Sequence, residues 1–100
     1  HARAFERVAR NEVIRAQTDL AVASERVARY DRNLLVEARR SAEFAEFAYR
    51  NGALGVMDLL DARRILLATQ LDATQARAEY AKARAAWEAA ITTAEPAEKK

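Results

Sequence analysis

Cysteine is absent from the chain, which rules out disulfides and thiolate chemistry and is compatible with an oxidising compartment. Proline occurs once, at Pro96, and glycine twice, at Gly52 and Gly55, so almost nothing interrupts a helix. Compact mixed folds need more turns than this chain can make. His1 is the only histidine and Met57 the only methionine. Soft and borderline ions therefore find no cluster of nitrogen or sulfur ligands, and neither a metal site nor a cofactor is expected. No apolar run approaches the ~20 residues of a membrane-spanning helix. No nucleophile is paired with a base, so the sequence does not read as an enzyme. It opens on His1-Ala2-Arg3, with neither an initiator methionine nor a signal peptide, and reads as a segment of a longer protein.

What remains is rich in Ala, Arg, Glu and Leu, all strong helix formers. Hydrophobic residues make up 51% of the chain, but alanine supplies many of them and buries little area, so the core is smaller than that share suggests. Lys and Arg number 17 against 15 Asp and Glu, a net charge of +2. The two signs interleave along the chain; nucleic-acid binders gather Lys and Arg on one face, so nucleic acid is not an expected partner. Glu6–Arg10, Glu25–Arg29 and Glu46–Arg50 have the favourable i,i+4 order, each contributing about 0.3 kcal/mol to an exposed helix.

The apolar residues recur in sevens. In the second half one series is Leu59, Leu66, Ala73, Tyr80, Trp87, and the interleaved one is Ala62, Thr69, Ala76, Ala83, Ala90. In the first half Val13, Leu20, Val27 and Leu34 alternate with Ala16, Ala23 and Tyr30. Each is a heptad seam that mixes bulky with small residues, as two closely packed helices require. A second apolar stripe runs beside each seam: Ile14, Ala21, Ala28, Leu35, Ala42 in the first half and Leu60, Leu67, Thr74, Ala81 in the second. Two stripes call for neighbours on both sides of each helix, in a helical bundle or in the wall of a helical tube, and periodicity does not choose between them.

The one interior break is Arg50-Asn51-Gly52-Ala53-Leu54-Gly55. Asn51 and Gly52 tolerate a left-handed helix end. Asp58 then falls in the first turns of the next helix, where a carboxylate suits the positive end of the dipole. The expected fold is all-α: a long antiparallel, coiled-coil-like hairpin over 1–94, with helices over about 3–50 and 55–93. Pro96 ends the second helix, and 95–100 reads as a disordered polar tail.

The run Tyr49-Arg50-Asn51-Gly52, followed by Asp58-Leu59-Leu60-Asp61-Ala62-Arg63-Arg64, resembles the periplasmic turn of the TolC-like outer-membrane efflux proteins. The later Ala76-Arg77-Ala78-Glu79-Tyr80-Ala81-Lys82-Ala83 and Trp87 are similar to the heavy-metal, CzcC-like branch. The resemblance spans about nine-tenths of the chain and is most specific at the turn. It implies an outer-membrane protein with a periplasmic extension, of which this hairpin is one piece. As a homotrimer it would form an α-helical tunnel that docks on a periplasmic adaptor (membrane fusion) protein and, through it, an inner-membrane pump. Heavy-metal cations are the implied cargo, with multidrug substrates as the alternative.

The resemblance also assigns residues. Tyr49, Asp58 and Asp61 match the channel mouth, and Asn51, Gly52, Ala53 and Leu54 match the adaptor-docking tip. The residues by themselves allow plainer roles. Asp58 and Asp61 suit any helix start, Asp61 can pair with Arg64, Tyr49 can simply pack, and 51–54 can be an ordinary connection. Leu54 departs from members that carry a basic residue there, so a charged latch does not transfer to this chain. Two rival readings stand: the helical hairpin of an adaptor, and a free-standing coiled coil. With two stripes, the isolated chain is expected to self-associate as a dimeric four-helix bundle. Sedimentation at rising concentration should show that association; a well-folded monomer throughout would defeat the argument from the second stripe.

Overall fold

In the computed structural model, which describes residues 2–94, the chain is an all-α helical hairpin. Its elements are α1 (Ala2–Arg29), a single π-turn (Tyr30–Leu34), α2 (Leu35–Arg50) and α3 (Val56–Ala94). No strand occurs among the described residues. The helices begin and end within a residue or so of the expected bounds, because few breakers lie inside them. The tail expected over 95–100 lies outside the described residues. The chain divides into two compact units, one of residues up to Glu25 with those from Arg77 onward, the other Arg26–Ala76.

In the first unit, Val13, Ala16, Leu20 and Ala23 of α1 are buried or half-buried, as are Tyr80, Ala83, Trp87 and Ala90 of α3. Phe5, Ala9 and Val13 border one groove with Ala94, and Glu12, Ala16 and Asp19 another with Ala86, Ala90 and Thr93, so the two segments run antiparallel. In the second unit, Leu59, Ala62, Leu66, Thr69, Ala73 and Ala76 of α3 are withdrawn from solvent. Every member of the two heptad series in α3 thus lies on the buried side. Thr69 fits such a seam because its hydroxyl donates to the Ile65 carbonyl at 2.8 Å, one turn back.

The first arm departs from expectation below Tyr30. Leu34, the next member of its series, is 46% exposed, while Leu35 is buried. From there the seam runs Leu35, Ala38, Ala42, Ala45, Ala48. Leu35 and Ala42, read as a second stripe, are therefore seam residues. The step of one residue is made in the π-turn, where the Leu35 N–H donates to the Tyr30 carbonyl five residues back. The cause lies in what the unbroken series would bury. Continued at sevens, it places Glu37 and Ser41 between the helices. Burying a carboxylate without a partner costs far more than distorting one turn of backbone. Shifting by one residue substitutes Ala38 and Ala42, small enough for α2 and α3 to approach closely.

The resulting core is thin. The most buried side chains are Ala16, Leu35, Ala38, Ala45, Ala48, Leu59, Ala73 and Ala76, of which only two are larger than alanine. Leucine burial contributes roughly 1.5–3 kcal/mol per side chain and alanine much less, so intrahairpin packing alone supports little stability. Since the π-turn holds one residue more than the seam needs, deleting Asn33 should leave the urea unfolding midpoint unchanged or raised. Deleting Gln70 from unbroken α3 should rotate half of its seam away and cost more than about 2 kcal/mol. Equal losses in the two deletions would refute this account of the π-turn.

Candidate functional site

The turn between α2 and α3 is built by its backbone. Gly52 has φ +77°, a conformation that costs any L residue with a Cβ about 1–2 kcal/mol. Adopting it lets the Ala53 N–H reach the Ala48 carbonyl at 2.8 Å and the Gly52 N–H reach the Tyr49 carbonyl at 3.1 Å. These two bonds form a Schellman motif that satisfies the last carbonyls of α2. Asn51 adds a third, its Nδ2 donating to the Phe47 carbonyl at 2.8 Å. Gly55 caps the next helix, its carbonyl accepting the Leu59 N–H at 3.2 Å. The tip residues Asn51, Gly52 and Ala53 are exposed and Leu54 is half-buried. Beside them Tyr49, Val56 and Met57 are 43%, 49% and 66% exposed. The tip is thus a rigidly capped turn with apolar side chains open to solvent around it.

Asp58 and Asp61 are both exposed and lie on one flank of the α2–α3 pair. They border an open groove of about 600 Å³ whose floor includes Leu34, Ala38, Ala62 and Ile65. Glu37 of α2 and Asp72 of α3 line the same groove, so four carboxylates share this flank. Arg64 pairs with Asp61 at 3.0 Å. Tyr49 is not among the groove's lining residues, so the described structure does not bring it to the two aspartates. Asp72 could have been found from sequence, because Asp58, Ile65 and Asp72 form a series of sevens. Glu37 could not, since its place depends on the π-turn.

The other flank is mixed in charge. Arg39, Glu43, Glu46 and Arg63 lie there around Ala42 and Leu66. Glu46 pairs across to Arg63 of α3, where an intrahelical partner, Arg50, was expected. Both groups keep substantial exposure, 34% and 54%, so the pair contributes less than about 1 kcal/mol.

Between the two flanks lie the outer edges, opposite the seam, and these mix apolar with charged residues, with Arg40 and Glu43 on α2 and Arg64 on α3. At about 100° per residue, Val36, Phe44 and Phe47 fall on the side of α2 that faces away from α3. They are 38%, 69% and 63% exposed. On α3 the outward series is Met57, Leu60, Arg64, Leu67, Leu71, spaced by threes and fours like a second seam. Leu60, Leu67 and Leu71 are 41%, 59% and 64% exposed. The hairpin near its turn is therefore apolar between its helices, carries exposed apolar residues among charged ones at both outer edges, and sets four carboxylates beside exposed Leu34 and Ile65 on one broad flank.

No polar or charged side chain is buried among the described residues, and no group of three His, Cys, Asp or Glu among them is placed to hold a metal ion. No described helix is long and apolar enough to cross a membrane. The chain matches no protein-family model, no curated protein and no solved structure.

The two glycines of the turn should respond differently to substitution. A Cβ at either meets nothing within 4 Å, but only Gly52 has positive φ. Gly52→Ala should therefore cost about 1 kcal/mol through the backbone alone. Gly55→Ser should leave stability unchanged or raise it by about 0.5 kcal/mol, because serine is the better N-cap. Urea unfolding of the two variants measures both effects, and a harmless Gly52→Ala would contradict the left-handed cap.

Proposed function

We propose that this hairpin is a wall segment of a helical export conduit of the TolC-like outer-membrane efflux kind, a passive channel part with no catalytic step. The observation that carries the reading is the placement of apolar surface on the α2–α3 pair. A hairpin destined for a four-helix bundle gathers its spare apolar residues on one broad flank, where a second hairpin lies across it. Here Val36, Phe44 and Phe47 stand at one outer edge beside Arg40, and Leu60, Leu67 and Leu71 at the other beside Arg64, while both flanks carry charged residues and one also exposes Leu34 and Ile65. That pattern suits a single layer of helices, each flanked on both sides, with water against both faces. A tube wall has this geometry. Self-association of the isolated chain would then run edge to edge.

In such a wall the flank bearing Glu37, Asp58, Asp61 and Asp72 is the one suited to the lumen. Repeated by three-fold symmetry, each carboxylate becomes a ring that concentrates cations. This agrees with the resemblance to the heavy-metal branch, and cations are the proposed cargo. The turn from Asn51 to Leu54, with exposed Val56 and Met57 beside it, is proposed as the tip that meets a periplasmic adaptor. Exposed apolar side chains at a rigid turn are the chemistry that a partner's helices would cover. The proposed location is the periplasmic extension of an outer-membrane protein.

The hairpin itself has no cysteine, so single cysteines placed in it can map its surface in the assembled protein once any cysteine elsewhere has been replaced. A hydrophilic maleimide should label cysteines placed at Glu37 and Glu43 and spare those at Phe47 and Leu67. Protected flanks with labelled edges would exclude a wall. The same assembly should capture the helical hairpin of a periplasmic adaptor, and a Gly52→Trp, Leu54→Glu double variant should lose that capture. Equal capture by both would move the contact away from the turn.

A further inference from the structure

The π-turn also bears on motion. Beyond Tyr30 the first arm carries two overlapping seams, one residue apart. The structure uses Leu35, Ala38, Ala42, Ala45 and Ala48. The other is the unbroken continuation of the upstream series: Leu34, Glu37, Ser41, Phe44 and Ala48. Two of its members are large apolar side chains that the present packing leaves in water, Leu34 at 46% and Phe44 at 69% exposure. Ala48 serves both seams, and neither proline nor glycine lies between Tyr30 and Arg50 to pin the extra residue where it is.

We propose that the π-turn is a movable register step, and that α2 exchanges between these two seams against α3. Passing the extra residue from 30–34 down to the turn at 51–55 turns the intervening helix by one residue, about 100°. Glu37 and Ser41 then enter the seam, and Ala38 and Ala42 leave it. The same rotation withdraws Arg40, Phe44 and Phe47 from the outer edge of α2 and brings Arg39 and Glu46 there, while Val36 and Glu43, seven apart on one stripe, move together. It also separates Glu46 from Arg63, a weak, half-exposed link that offers little resistance. The exchange therefore replaces the two phenylalanines of that edge with Arg39 and Glu46. A neighbour seated on Phe44 and Phe47 holds the present register, and its departure frees the other, which couples the outer edge to the turn. The main obstacle to the second seam is the Glu37 carboxylate, which is solvated now and would have to enter a packed contact. The exchange belongs to the hairpin itself and does not depend on the export reading.

The test uses the full chain with one cysteine at a time, Ser41→Cys or Ala42→Cys, labelled with a hydrophilic maleimide. In the present register position 41 borders the open groove and position 42 lies in the seam, so the thiol of Ser41→Cys reacts faster. Glu37→Leu removes the buried-charge penalty and should shift the ratio of the two rates toward Ala42→Cys by about tenfold or more. Deleting Asn33 removes the extra residue and should shift the ratio the other way, with the thiol of Ala42→Cys slowed. A ratio unmoved by Glu37→Leu in a chain that keeps its helical circular dichroism overturns the proposal. So does equal acceleration at both positions, which reports loosening of the helix and not exchange of its seams.

Discussion

Two long helices stay in contact only if the residues between them are small, or large and small in alternation, at a repeat that follows the helix surface. In this hairpin that contact is a seam of alanine with a few leucines and aromatics, and most other features follow from it. Alanine lets the arms approach closely, which is why Leu59 can be buried to 4% exposure in so small a molecule. The same choice limits what the seam can contribute, because six of the eight most buried side chains offer only a methyl group. Helices of this length gain most of their stability from packing. A pair with so thin a core draws little stability from its own packing.

The distribution of charge follows the same logic. Surface beside the seam must stay in water if the hairpin is one layer of a wall, and there the carboxylates of Glu37, Asp58, Asp61 and Asp72 lie on one flank and the Arg63–Glu46 pair on the other. Surface opposite the seam exposes Phe44, Phe47, Leu60, Leu67 and Leu71. The turn adds the remaining specialisation. Its backbone bonds are closed by a left-handed glycine, so the apolar side chains beside it are displayed by a fixed frame and not by a loose loop.

Much of this was legible in the residues. Helix propensity and the near absence of breakers located both arms, and the Asn51-Gly52 pair located the turn through the one backbone conformation that glycine tolerates best. The seam of α3 was readable throughout because its heptad runs unshifted from Leu59 to Ala90, even with the stripe of Leu60, Leu67, Thr74 and Ala81 beside it. Asp58 and Asp61 were placed together by spacing alone. Glu37 was missed because it joins them from another helix, in a register that no local rule specifies. Glu46 found Arg63 in place of Arg50 for the same reason: a side chain's nearest partner along its own helix competes with one that packing brings alongside.

The sequence by itself determined where the chain is helical, where it reverses, which face of α3 is covered and how weak an alanine core must be. Those properties depend on local backbone preference and on periodicity within one segment. Only the tertiary structure decided which of two apolar series in the first arm faces α3 below Tyr30. Each is a valid stripe on an isolated helix, and they differ only in what they press against the other arm, a carboxylate and a hydroxyl or two methyl groups. The π-turn is the physical record of that decision. It also set the flank on which Glu37 joins the aspartates and the edge on which Phe44 and Phe47 stand.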